Sequence, residues 1–510
     1  MRLARRISQI IFFLLFLLLF FQASYPYQNI FLPSDLFLQA SPLVGLTTFL
    51  STWSLGNALI LGFVLLILSI VLGRFFCGWI CPLGTTIDFS DKVFFRKRKS
   101  TVELPNYRAW KFILLVVLLV AALFSVQIAW LFDPIVIFFR FFSIVFYPAF
   151  VFLVYGFFDA AFNVGLFEDQ LYSLHHFAQQ TILTIEQPPM INGLPILILF
   201  LAILALGFLS RRFWCRALCP LGALFGLFSR FRLLKRRVDT LCTSCGLCAR
   251  RCRMHAIADD CASTNQLECI ACGECVSDCP ENSISYRFGV TQKHSANRTD
   301  MTRRHLILAG LSGIAGAALF KVARGTTRKN AIIRPPGAIE EEMFLATCIR
   351  CQACTHICAS TGGCLQPSLT ESGLQGVWSP AVMPRIGYCE YNCTLCGQVC
   401  PTSAIQKLPL ADKQKLVIGR AIFNKDTCIP WREHTNCLVC EEHCPLPDKA
   451  IKFDVRKVQD SHGEIKAVKF PYVVPELCIG CGICENKCPV VGQPGIFVTP
   501  EHNQRVKLST

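Results

Sequence analysis

The sequence predicts an α-helical membrane unit of about four duplicated spans, followed by α+β domains that are rich in cysteine. The chain has 510 residues, of which 53% are hydrophobic and only 16% charged, and its mean hydropathy is +0.45. A single soluble globular domain does not have this composition. Nearly all long apolar runs lie before residue 235, whereas 26 of the 30 cysteines lie after residue 240. These observations separate a membrane part from a cysteine-rich part.

The basic surplus fits a membrane protein. Lys and Arg number 50 against 34 Asp and Glu, a formal net charge of +16. Basic groups flank the apolar segments at Arg2, Arg5 and Arg6, in the run Arg96–Lys99, and at Arg230, Arg232, Lys235, Arg236 and Arg237. This is the positive-inside pattern of cytoplasmic loops. We therefore expect a lipid bilayer as surroundings and no nucleic acid as partner, and the apolar content excludes disorder for most of the chain.

Five apolar stretches approach the length of a span, namely Ile10 to Ala23, Ala58 to Phe76, Phe112 to Phe132, Ile135 to Phe158 and Pro195 to Leu209. Five crossings would place Cys77 and Cys215 on opposite faces and the basic residues near 230–237 outside, against the charge rule. Four crossings are therefore predicted. The stretch from Ile135 to Phe158 contains Arg140 and Pro148, so we interpret it as a re-entrant or interfacial element on the outer side.

An internal repeat supports four crossings. Ser41-Pro42-Leu43-Val44 resembles Asp133-Pro134-Ile135-Val136, and each half ends in a Cys-x3-Cys-Pro-Leu-Gly motif. The repeat predicts that the four membrane-edge cysteines converge about a pseudo-twofold axis at the inner face: Cys77, Cys81, Cys215 and Cys219. Four thiolates suit an additional iron site or small cluster. Paired redox thiols and structural thiols are the alternatives.

After the last span, the cysteines form quartets. The first two are Cys242, Cys245, Cys248 and Cys252, and Cys269, Cys272, Cys275 and Cys279. Both have the spacing C-x2-C-x2-C-x3-C of bacterial ferredoxins, in which three thiolates hold one [4Fe-4S] cube and the fourth reaches the other cube. We therefore assign Cys279 to the first trio and Cys252 to the second. Zinc is the alternative, but two interleaved runs favour iron–sulfur clusters.

Four further quartets follow residue 340: Cys348, Cys351, Cys354 and Cys358; Cys389, Cys393, Cys396 and Cys400; Cys428, Cys437, Cys440 and Cys444; and Cys478, Cys481, Cys484 and Cys488. The middle two have irregular spacing, which suggests a nested pairing. On that hypothesis Cys358 joins the Cys478 trio and Cys488 joins the Cys348 trio, while Cys400 joins the Cys428 trio and Cys444 joins the Cys389 trio. The quartets together predict six [4Fe-4S] clusters. Cys261 and Cys364 are left over as buried or free thiols.

Between the two cysteine-rich blocks, Thr302-Arg303-Arg304 precedes a weakly apolar run that ends at Phe320. Paired arginines before a mild hydrophobic core are typical of twin-arginine export signals. A basic linker beside a short buried helix is the alternative; if the run stays uncleaved, it can act as a fifth span. The predicted domains are 1–232, a duplicated membrane unit; 233–298, a two-cluster ferredoxin; 299–340, signal or span and linker; and 341–510, a four-cluster ferredoxin.

The chain resembles two families. The segment with both Cys-x3-Cys-Pro motifs and the first ferredoxin resembles NapH and is similar to the membrane part of NosR-type proteins. The rest resembles the MauM/NapG family, through Thr302-Arg303-Arg304, Ile333-Arg334-Pro335-Pro336-Gly337-Ala338 and the stretch Phe344 to Cys358. Arg253 and Ala359 depart from the pattern, because a proline usually follows the fourth cysteine.

The resemblance implies a quinol dehydrogenase component of a bacterial inner membrane, with several spans, a cytoplasmic first ferredoxin block and a periplasmic C-terminal block. Electrons would pass from membrane quinol through the clusters to a separate periplasmic reductase or cytochrome. The alternative is an assembly or maturation factor that reduces a metal centre in a client enzyme. No catalytic residue is assigned; candidates for a quinone site are Asp133, Arg140, His175 and His176.

Overall fold

The computed structural model describes residues 1–24, 32–54, 56, 60–94, 107–164, 168–181, 183, 188–289, 301–325, 332–369, 371, 373–459, 465–501 and 503–506. The chain divides into two compact units. The first comprises Met1–Gln22, Asn29–Phe142 and Leu194–Lys321, and the second comprises Ala23–Gln28, Ser143–Gly193 and Val322–Thr510. The basic run Arg96–Lys99, on which part of the charge argument depends, lies outside the described residues.

The N-terminal half of the chain is helical. Its α-helices are Arg2–Gln22, Leu36–Gln39, Pro42–Thr52, Ile60–Leu72, Phe75–Trp79, Pro82–Phe94, Trp110–Leu123, Pro134–Phe141, Tyr147–Val164, Glu168–Thr181, Gly193–Ala205 and Pro220–Ser229. Short 3-10 turns lie at Tyr107–Ala109, Ala129–Leu131 and Leu206–Phe208, and π turns at Phe142–Phe146 and Trp214–Leu218. Four of these helices begin at a proline, which suits the first turn because its missing N–H has no partner there.

Phenylalanine rings form part of the core of the first unit. Phe16 is 1% exposed, and its ring centroid lies 5.0 Å from that of Phe138 and 5.6 Å from that of Phe37. Phe142 approaches the same ring edge-on at 5.3 Å. Edge-to-face pairs of this kind add stabilisation beyond the area they bury. They join the N-terminal helix to the helix that begins at Pro134.

The two halves of the predicted repeat meet at the turns that precede Pro42 and Pro134. Ser41 caps the helix Pro42–Thr52 by accepting from the Val44 amide, and Asp133 caps the helix Pro134–Phe141 by accepting from the Ile135 amide. The Ser41 hydroxyl also donates to the Asp133 carboxylate at 2.5 Å. Equivalent caps from the two halves therefore contact each other directly, which a pseudo-twofold arrangement requires.

Two helices of the described chain are long and apolar enough to cross a membrane, Arg2–Gln22 and Pro134–Val164. Buried core helices and signal sequences meet the same criterion. The second of them contains Ile135 to Phe158, the stretch that we interpret as a re-entrant or interfacial element, within a helical run of 31 residues. Pro148 does not break the run, since it occupies the first turn of the helix Tyr147–Val164 after a π turn. The stretch after Thr302 is the 23-residue helix Arg303–Gly325, which does not meet the criterion.

The first cysteine-rich block has the α+β fold expected of a ferredoxin. Strand Leu234–Val238 pairs antiparallel with strand Ile284–Phe288, in a register that places Val238 opposite Ile284. Between them lie the short helices Leu247–Arg251 and Glu274–Ser277, each of which contains the third cysteine of its run. The strand pair therefore brings together the two ends of a segment that carries all eight predicted ligands.

The C-terminal block in the second unit repeats this pattern on a larger scale. Its helices are Glu341–Thr347, Ala353–Ala359, Gly373–Gly376, Leu395–Gln398, Leu410–Lys415, Ile429–Glu433, Val439–Glu442 and Ile483–Asn486. Its strands pair antiparallel as Leu365–Pro367 with Pro380–Val382, Arg420–Phe423 with Ile496–Thr499, and Ile451–Gln459 with Ile465–Val473. The pair from Arg420 and Ile496 joins the third and fourth quartets of this block.

Candidate functional site

The eight cysteines of the first ferredoxin block line two cavities. Site 1, with a volume of about 300 Å³, is lined by Cys242, Cys245, Cys248 and Cys279. Site 2, of about 360 Å³, is lined by Cys252, Cys269, Cys272 and Cys275. Each site takes three thiols from one run and its fourth from the other. The structure thus brings together the two ligand sets predicted from the spacing.

The arrangement of the thiols suits a cube better than a single ion. Zinc ligands converge on one point, since Zn–S bonds are about 2.3 Å long. In the part of the chain that the structure describes, no three His, Cys, Asp or Glu side chains are grouped to hold one metal ion. Four thiols around a cavity, in contrast, match the donor set of a [4Fe-4S] cluster.

The four regular cysteine loops share one backbone conformation. In each of them the second and fourth residues after the first cysteine have positive φ: Ser244 and Gly246, Ala271 and Gly273, Arg350 and Gln352, and Gly480 and Gly482. Left-handed residues turn successive amide groups toward one side of a loop, which favours a bound anion. The common geometry indicates that these four loops hold the same kind of group.

In the C-terminal block the thiols form four sets, which we call site 3 (Cys348, Cys351, Cys354 and Cys400), site 4 (Cys358, Cys389, Cys393 and Cys396), site 5 (Cys428, Cys437, Cys440 and Cys488) and site 6 (Cys444, Cys478, Cys481 and Cys484). Site 5 is a cavity of about 330 Å³. At site 3, burial raises the pKa of Cys354, and nearby thiolate charge, including that of Cys400, raises it further.

The nested pairing predicted for this block is wrong. Cys488 lies with the Cys428 trio rather than the Cys348 trio, and Cys358 lies with the Cys389 trio rather than the Cys478 trio. Cys400 and Cys444 likewise join the Cys348 and Cys478 trios. Neighbouring runs pair, as in the first block.

The irregular spacing has a local cause. The eight residues between Cys428 and Cys437 contain the helix Ile429–Glu433, which has Pro430 in its first turn and packs beside the strand Ile465–Val473. The extra residues lengthen the loop between Cys428 and Cys437, but the third run of this block still lies beside the fourth. Partner choice is set instead by the strand pair Arg420–Phe423 with Ile496–Thr499, which holds the third and fourth runs together.

In three of the six runs the fourth cysteine accepts a hydrogen bond from a backbone amide. The Cys252 sulfur accepts from the Ala256 amide at 3.3 Å, the Cys400 sulfur from Ile405 at 3.4 Å, and the Cys488 sulfur from Gly495 at 3.3 Å. Amide hydrogen bonds to a ligand sulfur stabilise negative charge there and raise the potential of the cluster.

The membrane-edge cysteines Cys77, Cys81, Cys215 and Cys219 lie near one another, although among the described residues no three of them are grouped to hold a single metal ion. Burial raises the pKa of Cys219 well above its usual value, and the charges of the other three thiols raise it further. The Gly84 amide donates to the Cys81 sulfur at 3.4 Å, and the Gly222 amide donates to the Cys219 sulfur at 3.2 Å. We call this set the membrane-edge site.

Two buried arginines cross between the halves of this site. The Arg74 guanidinium donates to the carbonyl of Cys215, and the Arg212 guanidinium donates to the carbonyl of Cys77. Both arginines are 0% exposed. Each is the first residue of the repeated Arg-aromatic-aromatic-Cys segment, so the same residue performs the same exchange in both halves.

The carboxylate partners of these arginines break the symmetry. Arg212 binds Asp88 of the first repeat, with Nε to Oδ1 at 2.7 Å. When the repeats are aligned on their cysteines, the position of Asp88 is held by Gly226 in the second repeat, so Arg74 has no equivalent partner there. The ferredoxin block supplies one instead: Arg74 donates to Glu268 at 2.9 Å and to the Leu267 carbonyl at 2.8 Å.

Arg253, one of the two departures from the ferredoxin pattern, also attaches the block. Its guanidinium lies 2.9 Å from Asp88 and 2.6 Å from Glu274. Arg5 of the N-terminal helix reaches the same two carboxylates. Burial would raise the pKa of Asp88, but Arg212, Arg253 and Arg5 hold it well below its usual range. A proline at position 253 would have no charge to place here.

Site 2 therefore lies against the membrane-edge site. The Trp79 indole donates to the Ala271 carbonyl at 3.3 Å. A side chain on Gly78 would meet the Ile270 carbonyl at 3.0 Å, and one on Gly226 would meet the Leu267 carbonyl at 2.8 Å. Both glycines are needed for the backbone of the loop 267–271 to approach this closely.

Sequence reasoning missed this ionic network. Arg5, Arg232 and Arg236 were interpreted only as cytoplasmic flanking charges, but they are 1%, 0% and 2% exposed. Arg232 donates to the Cys269 carbonyl, and Arg236 donates to the Cys261 carbonyl. An arginine repeated at the same place before Cys77 and Cys215 was the one signal that pointed to a buried role.

The quinone-site candidates are divided between the two units. Asp133 caps a helix and Arg140 donates to the Trp130 carbonyl at 2.7 Å, both in the first unit. His175 and His176 belong to the second unit, where the His175 ring lies 4.7 Å from that of Phe158. Asp133 and Arg140 have structural partners that account for their positions.

Comparisons with known proteins identify iron–sulfur domains. A family described as a 4Fe-4S binding domain matches residues 55–102 and again 192–239, the two halves of the membrane-edge repeat. A second family of the same description matches residues 471–491, which include Cys478, Cys481 and Cys484. No solved structure is significantly similar to the chain.

Several relatives are ferredoxin-type proteins. The methylamine utilization ferredoxin-type protein MauM of Methylorubrum extorquens is 30% identical over 211 residues, which are 40% of this chain and 90% of that protein. MauM of Paracoccus denitrificans is 30% identical over 216 residues, 41% of this chain and 91% of that protein. Ferredoxin-type protein NapG of Escherichia coli is 30% identical over 205 residues, 39% of this chain and 85% of that protein.

Proposed function

Since this chain belongs to the MauM and NapG family of ferredoxin-type iron–sulfur electron-transfer proteins, we propose that it is a membrane-bound quinol-oxidising member, with a NapH-type membrane part fused to the family's ferredoxin. In this proposal it passes electrons from membrane quinol, through six [4Fe-4S] clusters, to a separate periplasmic reductase or cytochrome. The contact between site 2 and the membrane-edge site is the observation that carries the proposal.

The first unit offers a short electron route. The loop 267–271 carries Cys269, a ligand of site 2, and contacts Gly78 between Cys77 and Cys81. Cys252 of the first run lines site 2, and Cys279 of the second run lines site 1. This arrangement keeps sites 1 and 2 adjacent. This route would therefore connect site 1, site 2 and the membrane-edge site. Cys245 of site 1 is exposed, so transfer to or from another redox group is expected there.

The second unit offers a route through four clusters. Cys396 of site 4 is close enough to act on Cys354 of site 3. The Cys389 amide of site 4 donates to the Cys481 carbonyl of site 6 at 2.8 Å, and Cys440 of site 5 acts on Cys484 of site 6. The Cys389–Cys481 hydrogen bond and the two proximities support the order site 3, site 4, site 6, site 5. A chain of one-electron cubes in this order conducts without bond chemistry.

The location in the membrane belongs to the same proposal. The helix Arg303–Gly325 buries the small residues Ala309 and Ala317 and leaves Ile307, Leu311 and Leu319 more than half exposed. A side chain on Gly313 would meet Val120 of the helix Trp110–Leu123 at 2.8 Å. Small residues at a helix contact with apolar residues outside favour packing within a bilayer. We therefore propose that the helix stays uncleaved, so that the first block is cytoplasmic and the C-terminal block periplasmic in a bacterial inner membrane.

Quinol oxidation is tested by anaerobic mixing of the detergent-purified, oxidised protein with a quinol analogue. We expect quinol to lower the visible absorbance of the clusters rapidly. The decrease should be a part of the decrease that dithionite produces. Reduction by dithionite but not by quinol would contradict the proposal. If in addition a client enzyme lacks its metal in a deletion strain, the protein is an assembly or maturation factor.

We further propose that the membrane-edge site holds additional iron, as the family matched at both halves binds iron–sulfur clusters. Removing one thiolate ligand usually abolishes such a site. We expect Cys77→Ser and Cys215→Ser to lower the iron content per chain while the EPR signals of the [4Fe-4S] clusters stay unchanged. Cys261→Ser is the control for the loss of a buried thiol outside the four-thiol set, and because Cys261 lies beside Cys248 of site 1, only its iron content is compared. Unchanged iron in both variants would leave the four residues as redox or structural thiols.

A further inference from the structure

Cys364 is a fifth thiol at site 4. It is one of the two cysteines outside the quartets, and it is 2% exposed. Its sulfur lies 3.8 Å from the sulfur of Cys358. Cys389 and Cys396, two further thiols of site 4, are also close enough to act on it.

Site 4 already has a complete donor set. A cube needs one thiolate for each of its four irons, and Cys358, Cys389, Cys393 and Cys396 supply them. The segment around Cys364 is also fixed in place. A side chain on Gly362 would collide with the Tyr388 carbonyl, one on Gly387 would collide with the Gly362 carbonyl, and the Cys364 carbonyl accepts from the Met383 amide at 2.8 Å. The fifth thiol is therefore held beside the ligand set without being needed in it.

The chemistry of the pair determines where the proton lies. An iron ligand must be a thiolate, so Cys358 carries no proton when the cluster is bound. A thiol is a hydrogen-bond donor, although a weak one. The only atom of the pair that can donate is then the Cys364 sulfur, and it has Cys358 within contact distance.

We propose that Cys364 is a positioning residue that donates an S–H hydrogen bond to the Cys358 thiolate and thereby raises the reduction potential of the cluster at site 4. A donor to a ligand sulfur stabilises the reduced cluster, which carries one more negative charge, more than the oxidised cluster. The inference rests on the proposed cluster at site 4 and does not depend on quinol as the electron source.

The test is an EPR-monitored redox titration of the full-length protein and its Cys364→Ala and Cys364→Ser variants. We expect Cys364→Ala to make the midpoint potential of one cluster more negative. A tenfold fall in the equilibrium constant for reduction corresponds to about 59 mV for a one-electron centre. Cys364→Ser keeps an O–H donor and is expected to restore most of the potential, whereas Cys261→Ala should leave this cluster unchanged.

Iron analysis and mass spectrometry separate the possible outcomes. The hydrogen bond is supported if Cys364→Ala has the iron content of the wild type and is the only variant with a clearly shifted potential. An unshifted potential overturns the proposal. A loss of about four irons in Cys364→Ala would identify Cys364 as a ligand, and a mass that is two hydrogens lower in the native protein would identify a Cys358–Cys364 disulfide. Either result also overturns it, while the electron-transfer function would stand.

Discussion

Replacing Asp88 with alanine is expected to destabilise the first unit by about 3–5 kcal/mol, because it leaves the buried Arg212 guanidinium without its carboxylate partner, whereas Arg5 and Arg253 keep Glu274. Arg212, Arg253 and Arg5 all lie within 3.4 Å of the Asp88 carboxylate, and Arg212 is completely buried. The loss is measured as the shift in urea concentration at which the visible absorbance of the clusters disappears. Lower pH should act in the same direction only in strong acid, since the depressed pKa keeps Asp88 ionised until then.

A matched control separates burial from charge. Asp448 forms an exposed ion pair with Lys452, at 3.2 Å. Because water and salt screen such pairs, Asp448→Ala is expected to change the free energy of unfolding by less than about 0.5 kcal/mol. If Asp88→Ala unfolds at the same urea concentration as Asp448→Ala, the ionic network does not hold the ferredoxin block in place.

The second large effect concerns which thiols share a cluster. Cys437 and Cys488 both line site 5. Replacing either by alanine is expected to remove one cube, which is about four irons per chain. The double variant should lose no more iron than either single variant, because both residues serve the same cube. The measurements are iron and acid-labile sulfide per chain, together with the EPR spectrum of the reduced protein.

The control uses two cysteines of the same run. Cys437 and Cys444 are separated by seven positions, yet they belong to sites 5 and 6. Their double variant should lose two cubes. The nested pairing makes a different prediction for Cys437 with Cys488, namely the loss of two cubes, so additive iron loss in that pair would refute the structural assignment.

Much of the ligand arrangement could be predicted from spacing alone. The exchange of Cys252 and Cys279 follows from a run of three cysteines plus one, because a loop that binds three corners of a cube leaves its fourth cysteine facing away. The proximity of the membrane-edge cysteines followed from the internal repeat. Both predictions depend on local geometry that the positions of the cysteines nearly determine.

The partner of each run in the C-terminal block depended on information that spacing does not contain. An insertion such as the helix Ile429–Glu433 changes the interval between two cysteines without changing their neighbours. Pairing of the strands Arg420–Phe423 and Ile496–Thr499 decided the outcome, and those strands are four residues long. The buried roles of Arg5 and Arg253 were equally hidden, since the sequence gives their charge but not the distant carboxylates that receive them.

The unequal partners of Arg74 and Arg212 have an evolutionary consequence. An ancestral half-length protein that assembled as a homodimer would have offered two identical docking faces, on which two ferredoxins would compete. In the fused chain one copy has Asp88 whereas the other has Gly226 at the equivalent position, where Leu267 lies against the glycine and Glu268 binds Arg74. Duplication thereby permitted a single, uniquely oriented ferredoxin to be seated on an otherwise symmetric platform. We expect Gly226→Asp, which restores the symmetry, to displace the ferredoxin block.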